Sequence, residues 1–173
     1  ITIDGKDIRN VSQHELREKL GYVPQKAVLF SGDIASNILY GNPDGSEAEM
    51  TEAATIAQAT EFIEQKKKKY KSTISQGGSN VSGGQKQRLS IARAIAKHPD
   101  IYIFDDSFSA LDYKTDATLR AKLKEKTSES TVMIVAQRIS TILHADQIIV
   151  LDDGQIVGKG THKELLKNCE AYY

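Results

Sequence analysis

An acidic pair follows a short apolar run and is placed to organise a metal ion beside a phosphate. Residues 101–104 (IYIF) are rich in strand formers, and Asp105 and Asp106 come directly after them. Carboxylates at the carboxyl end of a buried strand lie where α/β sheets bind ligands. Asp105 is suited to hold Mg²⁺ through water, and Asp106 to orient or activate a water molecule. An acidic pair that caps the next helix is the alternative.

A glycine-rich loop, residues 76–85, leads into a helix predicted from about Ser82 to Lys97. The free N–H groups and the positive dipole end of this helix favour an anion near Ser82, Gly83 and Gly84. The glycines also let a phosphate approach the backbone closely. A helix cap after a flexible loop explains the same three residues. Downstream, residues 109–112 (SALD) follow the acidic pair, and Asp112 alone could simply cap the helix after it.

The order and spacing of these parts indicate more than any one of them does. Residues 81–112, from VSGGQ to SALD, resemble the signature motif, Walker B strand and D-loop of ATP-binding cassette (ABC) ATPases. Residues 21–25 (GYVPQ) resemble the Q-loop of that family, and residues 135–141 (VAQRIST) lie at its switch-loop position. The resemblance covers essentially the whole chain.

The resemblance implies ATP and Mg²⁺ as cofactors and a role for each matched residue. Asp105 and Gln25 would hold Mg²⁺, partly through water, while Asp106 and Gln137 would be catalytic. The remaining matched residues would bind nucleotide: Gln25, Ser82, Gly83, Gly84, Gln85 and Asp112. Members of the family pair head to tail, so the signature residues 82–85 would complete the ATP site of a second nucleotide-binding domain.

Two matched positions depart from the family pattern. Asp106 stands where the family usually has Glu, and its side chain is one methylene shorter. A water molecule misplaced by about 1 Å can slow a reaction ~10²-fold. Gln137 replaces the usual switch-loop His; it can donate to a γ-phosphate but cannot become cationic. Because the signature is intact apart from Val81 for Leu, the pattern predicts the degenerate half of a heterodimer.

The third departure is a missing motif. No G-x-x-x-x-G-K-[ST] phosphate loop occurs in the 173 residues, and in the family it precedes the strand at which this chain begins. We therefore expect an N-terminally truncated domain that binds ATP very weakly and is inactive by itself. Residues 24–41 resemble the exporter branch, of multidrug or lipid type, where this region couples to membrane helices. Gln76 stands where exporters usually have Glu.

The elements that must position these residues predict an α/β fold. Apolar strand-like runs alternate with helical segments, which favours a parallel sheet covered by helices. We expect a P-loop NTPase-like parallel sheet core, incomplete, with an inserted helical subdomain. Residues 1–30 would be a partial ATPase core with the Q-loop, residues 31–97 the helical subdomain ending in the signature helix, and residues 98–173 the core with Walker B, D-loop and switch loop.

Capping signals fix several predicted boundaries. Ser12, Ser46 and Thr161 each precede a helical pattern with Glu three residues later, the pattern of a capping box. Residues 147–152 and 155–160 flank Asp153-Gly154 and predict a β-hairpin.

Composition narrows the function classes. Lys plus Arg equals Asp plus Glu, 23 each, which gives no sign of a nucleic-acid partner. No apolar run approaches the ~20 residues of a membrane helix. The single Cys169 has no disulfide partner, the four histidines do not cluster, and residues 66–69 (KKKK) fit a solvated turn. We expect a place at the cytoplasmic face of the cell membrane, bound to the transmembrane domains of a transporter.

Three other functions stay open at this stage. A regulatory module that holds nucleotide and rarely hydrolyses it fits Asp106 and Gln137. A soluble ABC ATPase of translation or DNA repair fits less well, because the Q-loop region is exporter-like and the net charge is zero. An interaction fragment without activity fits the missing phosphate loop. The sequence does not identify a transported substrate, since that specificity lies in membrane helices.

Overall fold

Strands and helices alternate along residues 1–172, which the computed structural model describes. The strands up to residue 135 are β1 (Thr2–Ile3), β2 (Lys6–Asp7), β3 (Leu20–Val23), β4 (Gly32–Asp33), β5 (Thr73–Ile74), β6 (Ile101–Asp105) and β7 (Thr131–Val135). The helices in the same part are α1 (Gln13–Glu18), α2 (Ile34–Leu39), α3 (Glu47–Ile56), α4 (Thr60–Glu64), α5 (Gly83–Ala96) and α6 (Tyr113–Lys126). Short 3-10 turns lie at Ile8–Asn10, Lys69–Lys71 and Gln76–Gly78.

A second compact unit begins at Ala136. It contains α7 (Ile139–Ile142), β8 (Ile148–Asp152), β9 (Gln155–Gly160), α8 (His162–Asn168) and a 3-10 turn at Glu170–Tyr172. The two compact units do not test the expected division into residues 1–30, 31–97 and 98–173, which stays a prediction.

The sheet of the first unit is parallel, with the strand order β3-β6-β7. Val23 pairs with Phe104, and Asp105 pairs with Val135. Because the strands are parallel, the residues that follow β3 and those that follow β6 emerge at the same edge of the sheet. This confirms the α/β fold class and brings the segment after Val23 close to the acidic pair.

The buried face of this sheet packs against α5, the helix that follows the glycine-rich loop. α5 also contacts α2 and α3. The side chains that fill this core include Val23, Ile34, Ile38, Leu89, Ile91, Ile95, Phe104 and Leu119, all fully buried. Gly21 permits the close approach of β3 to Pro99, in the segment after α5, since a Cβ on Gly21 would lie 2.6 Å from Pro99 Cγ.

Arg93 joins α5 to the segment from Val28 to Tyr40. Its Nε donates to Asn37 O at 2.8 Å, Nη2 to Asn37 Oδ1 at 2.9 Å and Nη1 to Val28 O at 3.0 Å. Asn37 lies in the last turn of α2, where helix carbonyls lack partners within the helix. The guanidinium also lies 4.8 Å from the Phe30 ring centre and 5.7 Å from that of Tyr40. Burial lowers the pKa of Arg93.

The predicted capping boxes are confirmed. At Ser12, for example, the backbone N donates to Glu15 Oε2 at 3.0 Å, and Glu15 N donates to Ser12 Oγ at 3.2 Å. Ser46 has the same arrangement. At Thr161, the backbone N and the hydroxyl both donate to Glu164 Oε2, at 2.7 and 2.8 Å. α3 ends at Ile56, and Gln58, two residues later, adopts a left-handed backbone with φ of 57°.

β7 is less buried than the prediction of a parallel sheet covered by helices implies. Val132, Met133 and Val135 are exposed, Met133 by 56%. In the described residues β7 pairs only with β6, so it is an edge strand. The apolar composition of TVMIV therefore predicts a strand correctly but overestimates its burial.

The hairpin of the second unit is confirmed. β8 and β9 pair antiparallel around Asp153 and Gly154, whose φ values of 45° and 74° suit a two-residue turn. Ile148, Leu165, Cys169 and Tyr172 form a small core of their own. Cys169 is buried in this core.

Candidate functional site

The ends of β3 and β6 bring three of the predicted site residues together. Gln25 Nε2 donates to Asp106 Oδ2 at 3.2 Å, across 81 positions of sequence. The neighbouring carboxylate, Asp105, also has a donor: the hydroxyl of Tyr22 donates to Asp105 Oδ2 at 3.1 Å. This hydrogen bond, with burial as a smaller cause, raises the pKa of Tyr22. Both carboxylates of the pair are therefore held by side chains of the Q-loop strand or of the turn after it.

The backbone around Asp106 is held in an uncommon conformation. Its φ is 42°, in the left-handed region, where Asp is among the residues that occur most often. The Asp106 amide donates to Val135 O at 2.9 Å. The buried Ser107 donates its hydroxyl to Val23 O at 2.9 Å, and Ser109 donates to Asp106 O at 2.9 Å. These contacts fix the direction in which the second carboxylate leaves the strand.

Gln87 attaches the Q-loop to the signature helix. This side chain of α5 is almost fully buried, and its Nε2 donates to Pro24 O at 3.2 Å. This hydrogen bond holds the loop in place, because a buried amide or carbonyl without its partner would cost about 1–3 kcal/mol. Gln25 is therefore next to a residue that is tied to α5.

The predicted anion-binding loop is arranged as a helix cap. Ser82 is the N-cap of α5: its Oγ accepts from Gln85 N at 3.2 Å, and its N donates to Gln85 Oε1 at 3.1 Å. The capping alternative therefore describes Ser82 and Gln85 in this structure. Capping uses one donor and leaves other first-turn N–H groups unpaired within the helix, so it does not exclude an anion.

The two glycines of the signature differ in their surroundings. A Cβ on Gly84 would lie 3.3 Å from Ala110 O, a tight contact with the D-loop of the same chain. A Cβ on Gly83 would meet nothing within 4 Å. Gly84 is thus needed for packing, while Gly83 leaves the surface of the helix end open.

Asp112 caps α6, the alternative that its sequence position left open. Its Oδ2 accepts from Thr115 Oγ1 at 2.6 Å and its Oδ1 from Thr115 N at 3.0 Å. These hydrogen bonds lower the pKa of the Asp112 carboxyl. The proposed nucleotide contact of Asp112 stays a prediction.

Gln137 lies just after β7, exposed and in irregular backbone. It belongs to the second unit. The catalytic role of Gln137 therefore stays a prediction.

The donor set at the sheet edge fits Mg²⁺ bound beside phosphates. Over residues 1–172 no group of three or more His, Cys, Asp or Glu side chains forms a metal cage. Mg²⁺ does not need one, since it binds through one or two carboxylates and keeps several waters or phosphate oxygens. Asp105, with the amide oxygen of Gln25, matches that requirement. None of the helices described in residues 1–172 is long and apolar enough to cross a membrane.

Comparison with known proteins decides the family. The profile of the family described as ABC transporter matches residues 1–109. The chain belongs to the ABC transporter family. An uncharacterized ABC transporter ATP-binding protein of Mycobacterium bovis is 46% identical over 99% of the chain and 30% of its own length. A protein of Staphylococcus aureus, provisionally named a multidrug export ATP-binding/permease protein, is 42% identical over 99% of the chain and 30% of its own length.

A solved structure supports the same assignment. The structure of a bacterial Atm1-family ABC exporter with ATP bound matches with a TM-score of 0.96 and 40% identity, over 99% of the chain and 30% of the exporter. The ABC chain described here is therefore homologous to ATP-binding domains of exporters, and membership of the family implies nucleotide binding. It spans about 30% of the length of these relatives.

Three residues of the site escaped the sequence analysis: Tyr22, Gln87 and Ser107. Tyr22 lies within GYVPQ and Ser107 directly follows the acidic pair, so their positions in the motifs are a signal. Gln87 has no comparable signal, because a polar residue in a helix is usually exposed. The pairing of β3 with β6 determines the contacts of Tyr22 and Ser107, and the packing of α5 beside β3 determines that of Gln87.

Proposed function

We propose that the chain is the ATP-binding and hydrolysing domain of an ABC exporter of multidrug or lipid type. In this proposal it lies at the cytoplasmic face of the cell membrane, joined to transmembrane domains and paired with a second nucleotide-binding domain. The observation that carries the proposal is the meeting of Gln25, Asp105 and Asp106 at one sheet edge. The 40% identity to an ATP-bound exporter supports it.

Each residue matched to the family motifs has a proposed task. Asp105 and Gln25 hold Mg²⁺, which would supply charge neutralisation for the ATP phosphates. Asp106 orients or activates the attacking water, and Gln137 donates to the γ-phosphate. The signature residues bind ATP that is held by the second domain: Ser82, Gly83, Gly84 and Gln85. Asp112, in the D-loop, also contributes to nucleotide binding.

We propose further that the pair is a heterodimer in which this chain supplies the slower site. The carboxylate of Asp106 is one methylene shorter than that of Glu, and Gln137 cannot carry a proton charge as His can. The hydrogen bond between Gln25 and Asp106 occupies the amide that would otherwise face the water. Each feature favours holding nucleotide over cleaving it.

The contact with the transmembrane domains is proposed for the surface formed by Val28, Phe30 and Tyr40. These apolar side chains are exposed, and the rings of Phe30 and Tyr40 lie 4.5 Å apart. The guanidinium of Arg93 packs against the rings of Phe30 and Tyr40. A rigid apolar surface beside the Q-loop fits a short helix from a partner domain.

ATP turnover by the reconstituted parent transporter tests the division of labour. We expect Asp106→Asn to reduce turnover less than twofold, and a Glu→Gln change at the Walker B carboxylate of the second domain to abolish most of it. Gly83→Val, which adds bulk on the open side of the signature, should also lower turnover strongly. A loss of most turnover in Asp106→Asn would contradict the slow-site proposal.

A regulatory module that holds nucleotide is the second candidate, favoured by the engaged Gln25 amide. It predicts that radiolabelled ATP stays uncleaved at this site for many turnovers of the other site. Recovery of the bound label as ADP after a single turnover would exclude this candidate.

A further inference from the structure

Tyr22 touches the carboxylate assigned to Mg²⁺ but has little part in the core. Its hydroxyl donates to Asp105 Oδ2 at 3.1 Å, while 55% of the residue is exposed. Its neighbour Val23 is fully buried on the opposite face of the strand. Tyr22 pairs with Ile103, and Asp105 lies two positions further along β6. Since alternate residues of a strand share a face, the phenol and the carboxylate lie on the same side of the sheet.

A hydrogen bond of this kind orients a carboxylate. A free Asp side chain samples several rotamers, and a donor on one oxygen selects among them. Tyr22 uses one lone pair of Oδ2, and a carboxylate offers about four acceptor sites. Acceptor sites therefore remain for a metal-bound water. Groups that hold the ligands of a metal typically change its affinity 10–100-fold when removed.

We propose that Tyr22 is a positioning residue for Asp105 and thereby strengthens the binding of Mg²⁺ with nucleotide. The inference rests on the proposed function of the sheet edge, because it needs Asp105 to act on the metal. Tyr22 itself contacts neither metal nor nucleotide in this role. Its hydroxyl is the only atom the role requires, so the aromatic ring without it should keep the strand and lose the effect.

Tyr22→Phe removes that hydroxyl and preserves the ring. Tyr113→Phe is the matched control, since this tyrosine is 78% exposed on α6 and removal of its hydroxyl breaks no hydrogen bond described above. Binding of Mn²⁺, as a paramagnetic substitute for Mg²⁺, is measured by electron paramagnetic resonance on the parent transporter with ADP present. ADP binding in EDTA, without metal, is measured by calorimetry on the same samples.

We expect Tyr22→Phe to weaken Mn²⁺ binding about three- to tenfold, which is below the usual 10–100-fold range because Tyr22 is half-exposed. ADP binding in EDTA should not change, and Tyr113→Phe should match the wild type in both measurements. Unchanged Mn²⁺ affinity in Tyr22→Phe would overturn the inference. So would an equal loss of metal-free ADP binding, which would indicate a general structural role. A wild-type protein without metal-dependent nucleotide binding would overturn the proposed function as well, and this outcome is distinct from the other two.

Discussion

Replacement of Arg93 by Met should destabilise the fold more than any surface change of equal size. Met keeps most of the aliphatic volume of the side chain but removes the guanidinium. Asn37 O and Val28 O then lose the Arg93 donor, and Asn37 Oδ1 keeps only the hydrogen bond from Phe30 N at 2.9 Å. The first of these is a carbonyl in the last turn of α2, which has no replacement donor within the helix.

The magnitude follows from the surroundings of the three bonds. The two bonds to Asn37 are partly buried, and the bond to Val28 O is exposed. At about 1.5 kcal/mol for each partly buried bond from a charged donor, and little for the exposed one, the loss is about 3 kcal/mol. Arg93→Lys keeps the charge but loses the planar fork of donors, and should cost about half as much.

Urea unfolding followed by circular dichroism measures this loss. With a slope of about 2 kcal/mol per molar urea, Arg93→Met should lower the midpoint by about 1.5 M. Arg9→Met is the control: Arg9 also forms a bidentate bond, to Asp7, but its side chain is 85% exposed. Its midpoint should equal that of the wild type. A midpoint for Arg93→Met within about 0.3 M of the wild type would refute the assignment of Arg93 as the link between α5 and α2.

Two further predictions concern the sheet. Burial raises the pKa of Tyr102 from 10.0 to about 12, so its contribution to stability is complete below pH 10 and is lost as the pH rises to about 12. Between pH 10 and 12, the urea midpoint of Tyr102→Phe should therefore fall less steeply with pH than that of the wild type. An equal fall in both proteins would count against the burial of Tyr102 as the cause. Ser107→Ala removes the buried hydrogen bond to Val23 O and should lower the free energy of unfolding by about 1 kcal/mol. Ser109→Ala removes an exposed hydrogen bond and should leave the urea midpoint unchanged. Equal changes of the urea midpoint in the two variants would contradict the role of Ser107.

Local signals predicted local structure well. The capping boxes at Ser12, Ser46 and Thr161 depend on residues three positions apart, and each one occurs as expected. The Asp153-Gly154 turn needs only two residues with positive φ, and both have it. Interactions of this range are determined before any tertiary contact forms, so sequence patterns suffice for them.

Contacts between distant segments were not predictable in the same way. The bond from Tyr22 to Asp105 spans 83 positions and depends on the register of β3 against β6. Arg93 reaches Asn37 across 56 positions, and nothing in either helical pattern indicates the pairing. The exposure of β7 depends on which strands lie beside it, so its apolar composition alone was misleading. The resemblance to the ABC family located Gln25, Asp105 and Asp106, but not the side chains that hold them.

The left-handed backbone at Asp106 restricts which side chains this position accepts without a loss of stability. Asp and Asn tolerate positive φ better than longer side chains do, so a Glu at this position would carry a larger conformational penalty. Under the proposed function, a Glu carboxylate would reach further toward the attacking water at some expense to folding stability, a trade-off between activity and stability. If the second domain already supplies a fast site, selection has little reason to accept that penalty. The short carboxylate can then persist as the better compromise, and a gain of hydrolysis by Asp106→Glu should come with a lower unfolding midpoint.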